Sequence, residues 1–248
     1  VYGKFGVFFA RVLTGGHNAA TGWKHGQGGF RIDAAPSPTD AITFQGDAYS
    51  GDLDMQTGDT ARLAGGNLLA RWTRTLGDES ETKAQVYVDR THIAVPFAAT
   101  RFAPAGFLKD DLDTYDFILQ HSRRLGSRHR FTAGLGYRFT HDSVKQQAPN
   151  VAYLPARVDQ DLPSAFVQDE FHPLDRVALT LGSKFEHNDY TGFEYEPNFR
   201  VQWKVTPAHT AWTAVSRAVR MPSRFDRDLY EPAPPKSLIA GGPRFVSE

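Results

Sequence analysis

The connectors between the predicted strands alternate between short and long, and this alternation constrains the fold more than any other feature of the chain. The short connectors are turns at residues 36–40, 77–80, 126–129, 173–176 and 206–209. The long ones are irregular segments at residues 14–27, 51–65, 93–111, 141–161 and 189–194. In an antiparallel meander, this order places every short turn at one end of the sheet and every long loop at the other. The two ends are therefore predicted to face different surroundings.

The segments between these connectors show period-two alternation, which is typical of half-apolar strands. In RFTAGLGYRFT at 130–140, Phe131, Leu135 and Phe139 lie on one face, and Arg130 and Arg138 on the other. VALTLGSKFE at 177–186 and YEPNFRVQWKV at 195–205 repeat the pattern. Eleven strands are predicted, near residues 2–12, 28–35, 41–50, 66–76, 81–92, 112–124, 129–140, 162–172, 176–188, 195–205 and 209–219.

Composition excludes several classes of protein. Lys plus Arg and Asp plus Glu both number 28 in the 248 residues, so net charge gives no argument for a nucleic-acid partner. The chain has no cysteine, which excludes disulfides, thiolate metal sites and cysteine nucleophiles. The longest apolar runs, such as FGVFFA at 5–10, are too short for a membrane helix, and the mean hydropathy is −0.44. Eighteen phenylalanines and 22 glycines favour a β-rich protein.

Long strands with short turns at one end and long loops at the other are typical of an antiparallel transmembrane β-barrel, in which apolar side chains face lipid and polar ones the lumen. Closure also removes the exposed strand edges of so large a sheet. Aromatic residues near predicted strand ends fit an interfacial girdle, namely Trp72, Tyr190, Phe193, Tyr195 and Trp212. A large soluble β-protein is the alternative that this pattern leaves open.

Four stretches carry a resemblance to a known family: 28–51, 65–91, 164–203 and 211–224. Within them, FVQDE, LTLGSKFEHNDYTG and SRAVRMPSR are distinctive in combination. In this order and spacing the chain resembles the barrel of TonB-dependent outer-membrane receptors, the transporters of ferric siderophores, cobalamin and similar scarce ligands.

The resemblance implies an all-β fold with about eleven of an expected 22 strands, so that residues 1–248 form a partial barrel domain without the plug. The family's signal peptide, TonB box and terminal aromatic strand are not recognised in this sequence. Such a half barrel is not expected to fold stably alone. The implied location is the outer membrane of a Gram-negative bacterium. The implied partners are outer-membrane lipid and lipopolysaccharide, TonB through the missing plug, and a small-molecule metal chelate, with no nucleic acid.

Two other functions compete with ligand uptake by such a transporter. A passive porin keeps the barrel and needs no plug, and an outer-membrane β-barrel enzyme needs a nucleophile, a base and an orienting group at the barrel rim. G-x-S-x-G, H-E-x-x-H and Walker motifs do not occur in the sequence. We therefore predict no enzyme, no catalytic residue and no cofactor.

No metal site is predicted either. Two acidic runs have the spacing of calcium ligands, but neither completes a known ligand set, and solvated acidic loops are the expected outcome; the runs are Asp52, Asp54 and Asp59, and Asp110, Asp111 and Asp113. His121 and His129 flank one predicted tight turn and could approach each other across the hairpin. Two imidazoles without a third ligand bind metal weakly, so we expect exposed turn residues.

The candidate ligand-binding residues are charged side chains of the predicted lumen and outer rim: Arg138, Lys184, Glu186, Arg200, Arg217, Arg220 and Arg224. The last three lie in VSRAVRMPSR at 215–224, where Pro222 cannot donate to a strand ladder and marks the expected end of pairing. A lipid-facing arginine is costly at the bilayer midplane, so this motif is expected at or above the outer rim. There the guanidinium groups are expected to pair with loop or plug carboxylates, the alternatives being lipopolysaccharide phosphates or an anionic ligand.

Overall fold

The fold was analysed in a computed structural model, which describes residues 1–9, 22–55, 59–77, 79–99, 104–147, 151–233, 236–242 and 244–247. Within these residues, eleven strands form one antiparallel sheet in which neighbours in space are neighbours in sequence, apart from one short strand that pairs elsewhere. The strands are β1 (Tyr2–Phe8), β2 (Trp23–Ala34), β3 (Asp40–Asp54), β4 (Thr60–Leu76), β5 (Ser80–Phe97), β6 (Gly106–Leu125), β7 (His129–Gln146), β9 (Arg157–Leu174), β10 (Val177–Asn188), β11 (Gly192–Thr206) and β12 (His209–Ser216). The prediction of eleven antiparallel strands is confirmed. In the described part of the chain β1 and β12 are edges, so the sheet is open.

The short turns lie where the sequence predicts them, but the strands reach much further at the opposite end, which we call the outward end. β6 has 20 residues, and its ladder to β7 continues from Leu125 to Leu108. Apolar alternation marks only the part of a strand that one face buries, whereas backbone hydrogen bonds extend the ladder regardless of side-chain polarity. The long connectors are therefore shorter than predicted, and their flanks are strand.

One predicted long connector is wrong altogether. The segment at 189–194 is a tight turn of three residues between Asn188 and Gly192, and β11 begins at Gly192. Asn188 closes this turn, because its Oδ1 accepts hydrogen bonds from the backbone N–H groups of Tyr190 and Thr191 at 2.9 and 2.7 Å. Gly192 has φ +78°, a conformation that glycine adopts at little cost. The predicted connector at 14–27 lies largely outside the described residues, and its last part belongs to β2.

The register assigns every strand residue to one of two faces. Arg138 lies opposite Asp116, and Leu135 opposite Leu119, so these pairs occupy opposite faces of the sheet. Following the register across the sheet gives an apolar face with exposed residues on each strand from β4 to β11: Leu68, Val86, Val88, Phe117, Leu119, Leu135, Val167, Leu181, Phe199 and Trp203. The other face is polar, and it carries Asn67, Gln85, Asp116, Arg138, Lys184, Glu186 and Arg200.

Polar residues bound the apolar band on both sides. On β6 the apolar face reads Asp113, Tyr115, Phe117, Leu119 and His121. Eight residues separate Asp113 from His121, which is roughly 26 Å along a strand at about 3.3 Å per residue. At the usual tilt of about 40° this corresponds to a band about 20 Å tall, close to the height of the lipid-facing band of outer-membrane barrels.

The predicted aromatic girdle is only partly correct. Phe193 and Tyr195 lie exposed on the apolar face, and Trp72 donates from its indole N–H to Asp40 beside a short turn, at 2.9 Å. Trp212 lies opposite Gln202, which places it on the polar face. Tyr190 turns inward to contact Asp228. The sequence pattern reports proximity to a strand end, but only the register and the turn decide the direction of the side chain.

The chain beyond β12 returns to the outward end of the wall. Helix α1 (Arg224–Asp228) is followed by β13 (Leu229–Ala233) and β14 (Lys236–Ala240), which form a second small sheet with β8 (Ala152–Tyr153). No helix in the described ranges is long and apolar enough to cross a membrane. The small sheet therefore connects residues after β12 to the β7–β9 connector.

Candidate functional site

The segment after β12 folds through a capped helical turn. Ser223 Oγ accepts a hydrogen bond from the Asp226 backbone N–H, and Asp226 Oδ2 accepts one from the Ser223 N–H at 2.8 Å. This reciprocal capping box satisfies donors that the first turn of a helix leaves open. The hydrogen bonds to Ser223 and the nearby Arg220 charge lower the pKa of Asp226. The cap fixes α1 so that Arg224 and Asp228, four residues apart, point the same way.

Arg224 is the centre of a buried polar cluster on the polar face. Its side chain is only 8% exposed, its Nε donates to Asp228 Oδ2 at 3.0 Å, and its Nη1 lies 2.6 Å from Asp142 Oδ1. The second contact is an ion pair without aligned hydrogen-bond geometry. Nη2 donates to the Pro155 carbonyl, and the guanidinium lies 5.2 Å from the Tyr153 ring centroid. One side chain thus connects α1, β7 and the β8 segment.

Tyr190 extends this cluster to the β10–β11 turn. Its hydroxyl donates to Asp228 Oδ2 at 3.2 Å, while Arg227 stacks 4.5 Å from its ring centroid and donates to its carbonyl at 2.8 Å. Burial and the Asp228 charge raise the pKa of Tyr190 to about 12. The hydroxyl therefore stays protonated at physiological pH and remains a donor to the carboxylate. We call the set Asp110, Asp142, Tyr153, Tyr190, Arg224 and Asp228 the Arg224 cluster.

The cluster contains more carboxylate than cation. Asp110 and Asp142 lie on the polar face of β6 and β7, two residues apart in register, since Asp110 is opposite Val144 and Asp142 is opposite Leu112. Burial and the Asp142 carboxylate raise the pKa of Asp110 to about 6, against a smaller lowering by Arg224. The folded protein thus favours the neutral acid at Asp110. Its ionisation costs stability above pH 6, and this cost disappears as the pH falls through 6 toward the ordinary carboxyl pKa near 4.

Replacing Asp110 with asparagine is expected to stabilise the cluster at pH 7.5 by about 1 kcal/mol. This value is smaller than the free energy that the whole pKa shift corresponds to, because Asp110 is only half-buried and solvent screens its charge. The stabilisation is expected to shrink as the pH falls through 6 and to disappear below the ordinary carboxyl pKa near 4, where Asp110 is neutral in the folded and the opened state alike. Hydrogen-exchange protection of residues 224–229, corrected for intrinsic rates, measures both. Asp54→Asn, which makes the same charge change at an exposed position, is the control. Equal protection of Asp110→Asn and the parent at pH 7.5 would contradict the expectation.

Two further ion pairs involve buried glutamates of β10 and β11. Glu186 and Glu194 are directly opposed and only 4% and 6% exposed. Each has its own cation: Lys184 Nζ contacts Glu186 Oε2, and Arg217 Nη2 lies 3.1 Å from Glu194 Oε2. Arg217 also lies 4.8 Å from the Tyr195 ring centroid. The opposed carboxylates are therefore neutralised separately, as buried like charges require.

The other predicted site residues are dispersed along the wall. Arg138 pairs with Asp116 at 2.9 Å and remains half-exposed. Arg200 lies exposed opposite Thr180 and Ala214 and forms no ion pair with any described residue. Arg220 is exposed in the segment between β12 and α1. Since β12 ends at Ser216, Arg217 and Arg220 follow the strand rather than alternate within it, and the predicted strand at 209–219 is too long.

Beside Arg138, a recess of about 240 Å³ opens between the wall and the segment that carries Pro222. Its lining includes Arg138, Gln160, Asn188 and Tyr190, together with the carboxylates of Asp161 and Asp189. Guanidinium, amide, phenol and carboxylate groups thus meet in one concave region, next to the Arg224 cluster. Such a recess can hold an anionic or hydrogen-bonding group of a small molecule.

The predicted acidic loops and the histidine pair need correction. Asp110, Asp111 and Asp113 lie within β6, and Asp52 and Asp54 within β3, so only Asp59 lies in a connector. His121 and His129 are both strand residues and do not approach each other. His121 contacts Thr82 at 2.9 Å, whereas His129 contacts Asp169 at 2.7 Å and stacks 4.5 Å from the Phe171 ring. The described residues contain no group of three acidic or histidine side chains arranged to hold a metal ion.

Sequence reasoning found Arg224 but missed most of its partners. S-x-x-D at Ser223–Asp226 is a capping-box pattern, and the spacing of Arg224 and Asp228 is that of a helical ion pair, so α1 had a readable signal. Asp142, Tyr153 and Tyr190 have no such signal, because each reaches the cluster from a different connector or strand.

Comparison with known protein families decides the identity of this wall. The model for the TonB-dependent receptor-like β-barrel matches residues 7–245, nearly the whole chain. The chain belongs to the TonB-dependent receptor β-barrel family. The resemblance predicted from the sequence is thereby confirmed. The apolar face is accordingly the lipid face of a receptor barrel, and the polar face is its inner wall.

Solved structures show the same fold at low sequence identity. The siderophore receptor PirA from Acinetobacter baumannii matches with a TM-score of 0.69 and 14% identity over 85% of this chain and 36% of its own. The copper transporter OprC matches with a TM-score of 0.74 and 13% identity, over 90% of this chain and 42% of its own. The ferric enterobactin receptor PfeA matches with a TM-score of 0.67 and 14% identity, over 83% of this chain and 35% of its own. The chain thus spans roughly two fifths or less of the length of these receptors. No curated protein matches the chain.

Proposed function

We propose that residues 1–248 form part of the barrel of a receptor that takes up a ferric siderophore or a similar metal chelate across the outer membrane of a Gram-negative cell. The match to the receptor family over residues 7–245 is the observation that carries this proposal. The structural neighbours include siderophore receptors and a copper transporter, so a metal-containing cargo is common to them. The two open edges, β1 and β12, would pair with further strands of the receptor.

The recess beside Arg138 is the proposed contact region for the ligand. It lies toward the outward end of the inner wall, where a molecule arriving from outside first meets the barrel. Arg138 is half-exposed despite its pair with Asp116, so its guanidinium retains free donors for an anionic chelate. Gln160 and Tyr190 add neutral polar groups to the same lining. The chemistry is recognition followed by passage, and no covalent step is required.

Uptake by cells that produce the intact receptor and lack their other iron receptors tests the proposal. Radioactive iron is supplied as a catecholate, a hydroxamate or a carboxylate chelate, and copper is supplied in a parallel assay. We expect one class to be taken up only when TonB is present. Uptake that persists without TonB would overturn energised transport and indicate a passive pore. No uptake of any metal chelate would overturn the cargo class.

Arg138→Gln is expected to weaken uptake of the accepted chelate about tenfold at limiting concentration, because a charge-assisted hydrogen bond is lost. Arg200→Gln makes the same change at an exposed inner-wall position outside the recess and is the matched control. Equal losses in both variants would show that general wall charge, and not the recess, determines uptake.

A further inference from the structure

The inner wall carries an apolar belt at its outward end, on strands β2 to β6. Leu63 lies four residues from Asn67 on β4, and Ile93 lies eight residues from Gln85 on β5, so both side chains are on the inner face. The register pairs Trp23 with Leu53, Leu63 with Ile93, and Val95 with Leu108, and we call these six residues the apolar belt. Neighbouring strands lie about 4.8 Å apart, so the belt is about 19 Å long.

The large side chains of the belt are exposed on the inner wall rather than packed in a core. Trp23, Leu53, Leu63 and Ile93 are between 38% and 51% exposed. A contiguous apolar patch of this kind is unusual on a surface that faces water, and it commonly marks a ligand-binding groove or an interface. An apolar group from outside these strands is therefore expected to cover the belt.

A cavity of about 550 Å³ lies over the belt. Small-molecule sites of about 300 to 1,000 Å³ are lined mainly by apolar side chains, and this lining includes Trp23, Leu53, Leu63, Ile93 and Val95. Trp23 is held in place at one end, because a Cβ at Gly6 would lie 3.0 Å from its indole and the Phe8 ring stacks on it at 6.3 Å. The cavity is thus built on paired strands and a fixed aromatic ring.

The polar groups of the cavity lie at its margins. Lys24, Asp52 and Arg62 alternate with belt residues along their strands, so they border the cavity from the other face of the sheet. There Asp52 pairs with Lys24 at 2.9 Å and with Arg62 at 3.8 Å. Lys4 and His25 are the polar lining residues on the inner face, both inward of Trp23. The middle of the cavity therefore offers a hydrocarbon surface.

The belt ends at β6, where the wall becomes polar. Ile93 faces Asp110, and Leu108 faces Gln146. The Gln146 amide holds the Tyr153 backbone through two hydrogen bonds, at 2.7 and 3.0 Å, and Tyr153 belongs to the Arg224 cluster. The recess beside Arg138 lies next to the same cluster. The inner wall thus changes from apolar to polar across the strands, which matches a ligand with an apolar tail and a polar head.

We propose that the apolar belt binds the fatty acyl chain of an amphiphilic metal chelate, whose polar head lies toward the Arg224 cluster and the recess. Five of the six belt residues are aliphatic, and the belt is longer than an aromatic ring, so it suits a linear hydrocarbon chain better than an aryl group. This assignment rests on the proposed function, because it adds an acyl chain to the chelate class proposed above. If another segment of the receptor covered the belt instead, acyl chain length would not affect uptake.

Uptake of ferric chelates that share one head group and differ in their acyl group tests the proposal. The probes are acetyl, hexanoyl, decanoyl and benzoyl derivatives of each chelate class named above, supplied to cells that produce the intact receptor and lack their other iron receptors. Cells without the receptor measure adsorption to the membrane. We expect the concentration for half-maximal uptake to fall roughly twofold for each added methylene group, because a partly buried methylene contributes about half of its full transfer free energy. The benzoyl derivative is expected to gain less than the hexanoyl one.

The double variant Leu63→Gln and Ile93→Gln places two amides in the middle of the belt. We expect it to need roughly 30-fold more of the decanoyl chelate for half-maximal uptake, but the same concentration of the acetyl chelate as the parent. The matched control is Leu69→Gln and Ile118→Gln, which makes the same two changes on the inner wall outside the belt, opposite Tyr87 and Gln85. It is expected to keep the parent's dependence on chain length.

Uptake that does not depend on chain length in the parent would overturn the acyl chain and leave the uptake proposal standing. Equal losses for the acetyl and decanoyl chelates in the Leu63/Ile93 variant would show that the belt packs against another part of the receptor, and would also overturn it. So would a control variant that loses the dependence on chain length. A larger gain from the benzoyl than from the hexanoyl group would overturn the choice of an aliphatic chain. No uptake of any chelate would instead overturn the proposed function, and this assignment with it.

Discussion

Replacing Arg224 with leucine is expected to open the outward end of the inner wall while leaving the eleven-stranded sheet folded. The side chain is 8% exposed, and its removal leaves Asp142 and Asp228 buried without their cation. Removing one partner of a buried ion pair costs about 3 to 5 kcal/mol, mostly because the remaining charge is desolvated and uncompensated. The loss falls on α1 and the β8 segment, which Arg224 connects, since the β-ladders do not depend on it.

Hydrogen exchange followed by mass spectrometry on the intact receptor measures this effect. Residues 152–156 and 224–229 are expected to lose about 100-fold or more in protection, the equivalent of about 3 kcal/mol, while β6 and β7 stay protected. Arg224→Lys keeps the charge but loses the planar fork and is expected to be intermediate. Arg200→Leu removes an exposed arginine without an ion pair and is the matched control, expected within about 0.5 kcal/mol of the parent. Unchanged protection in Arg224→Leu would refute the role of the cluster.

Replacing Leu119 with arginine is expected to destabilise the folded barrel by about 1 to 3 kcal/mol, the cost of a cation on the lipid face between the bilayer midplane and the interface. Leu119 lies opposite Leu135 within the apolar band, between Phe117 and the bounding His121 on its own strand. Its neighbours on this face offer no carboxylate for the new charge. The guanidinium must therefore be buried in hydrocarbon or pull water and lipid headgroups toward it.

Equilibrium unfolding of the intact receptor in lipid vesicles measures this destabilisation, and the loss of the heat-modifiable folded band on a gel gives a simpler check. Gln120→Arg is the control, because Gln120 is the next residue in the chain but lies on the polar face opposite Lys83 and Gly134. It is expected to change stability by less than about 1 kcal/mol. If both variants were equally destabilised, the assignment of the two faces would be wrong.

The sequence predicted the sheet well because two local signals agree. Period-two alternation marks the strands, and the turn residues mark where they reverse, so the strand number, the order and the short turns are confirmed. The strand lengths at the outward end were underestimated, since the ladder continues through charged residues such as Asp110 and Asp142 that an apolar pattern excludes. The turn at Asn188 was missed because side-chain hydrogen bonds from one asparagine close it within three residues.

The candidate site was predicted only in part. Alternation places Arg138, Lys184, Glu186 and Arg200 on the inner wall, and the register bears this out. Lys109 and Lys145 fall within the predicted connectors at 93–111 and 141–161, so alternation assigned neither of them to a face. Their direct opposition depends on the β6–β7 register, which is fixed by the turn at 126–128 and the strand lengths together.

The motif VSRAVRMPSR shows which properties follow from the sequence and which depend on the tertiary structure. Its sequence determined that pairing in the sheet ends before Pro222 and that its arginines avoid the lipid face, because a missing N–H and the cost of a charge in hydrocarbon are local properties. Only the tertiary structure decided that Arg224 turns back to Asp142 and Pro155. Those partners belong to β7 and to the segment before β9, and no pattern within the motif specifies which distant connector will come within 3 Å of it.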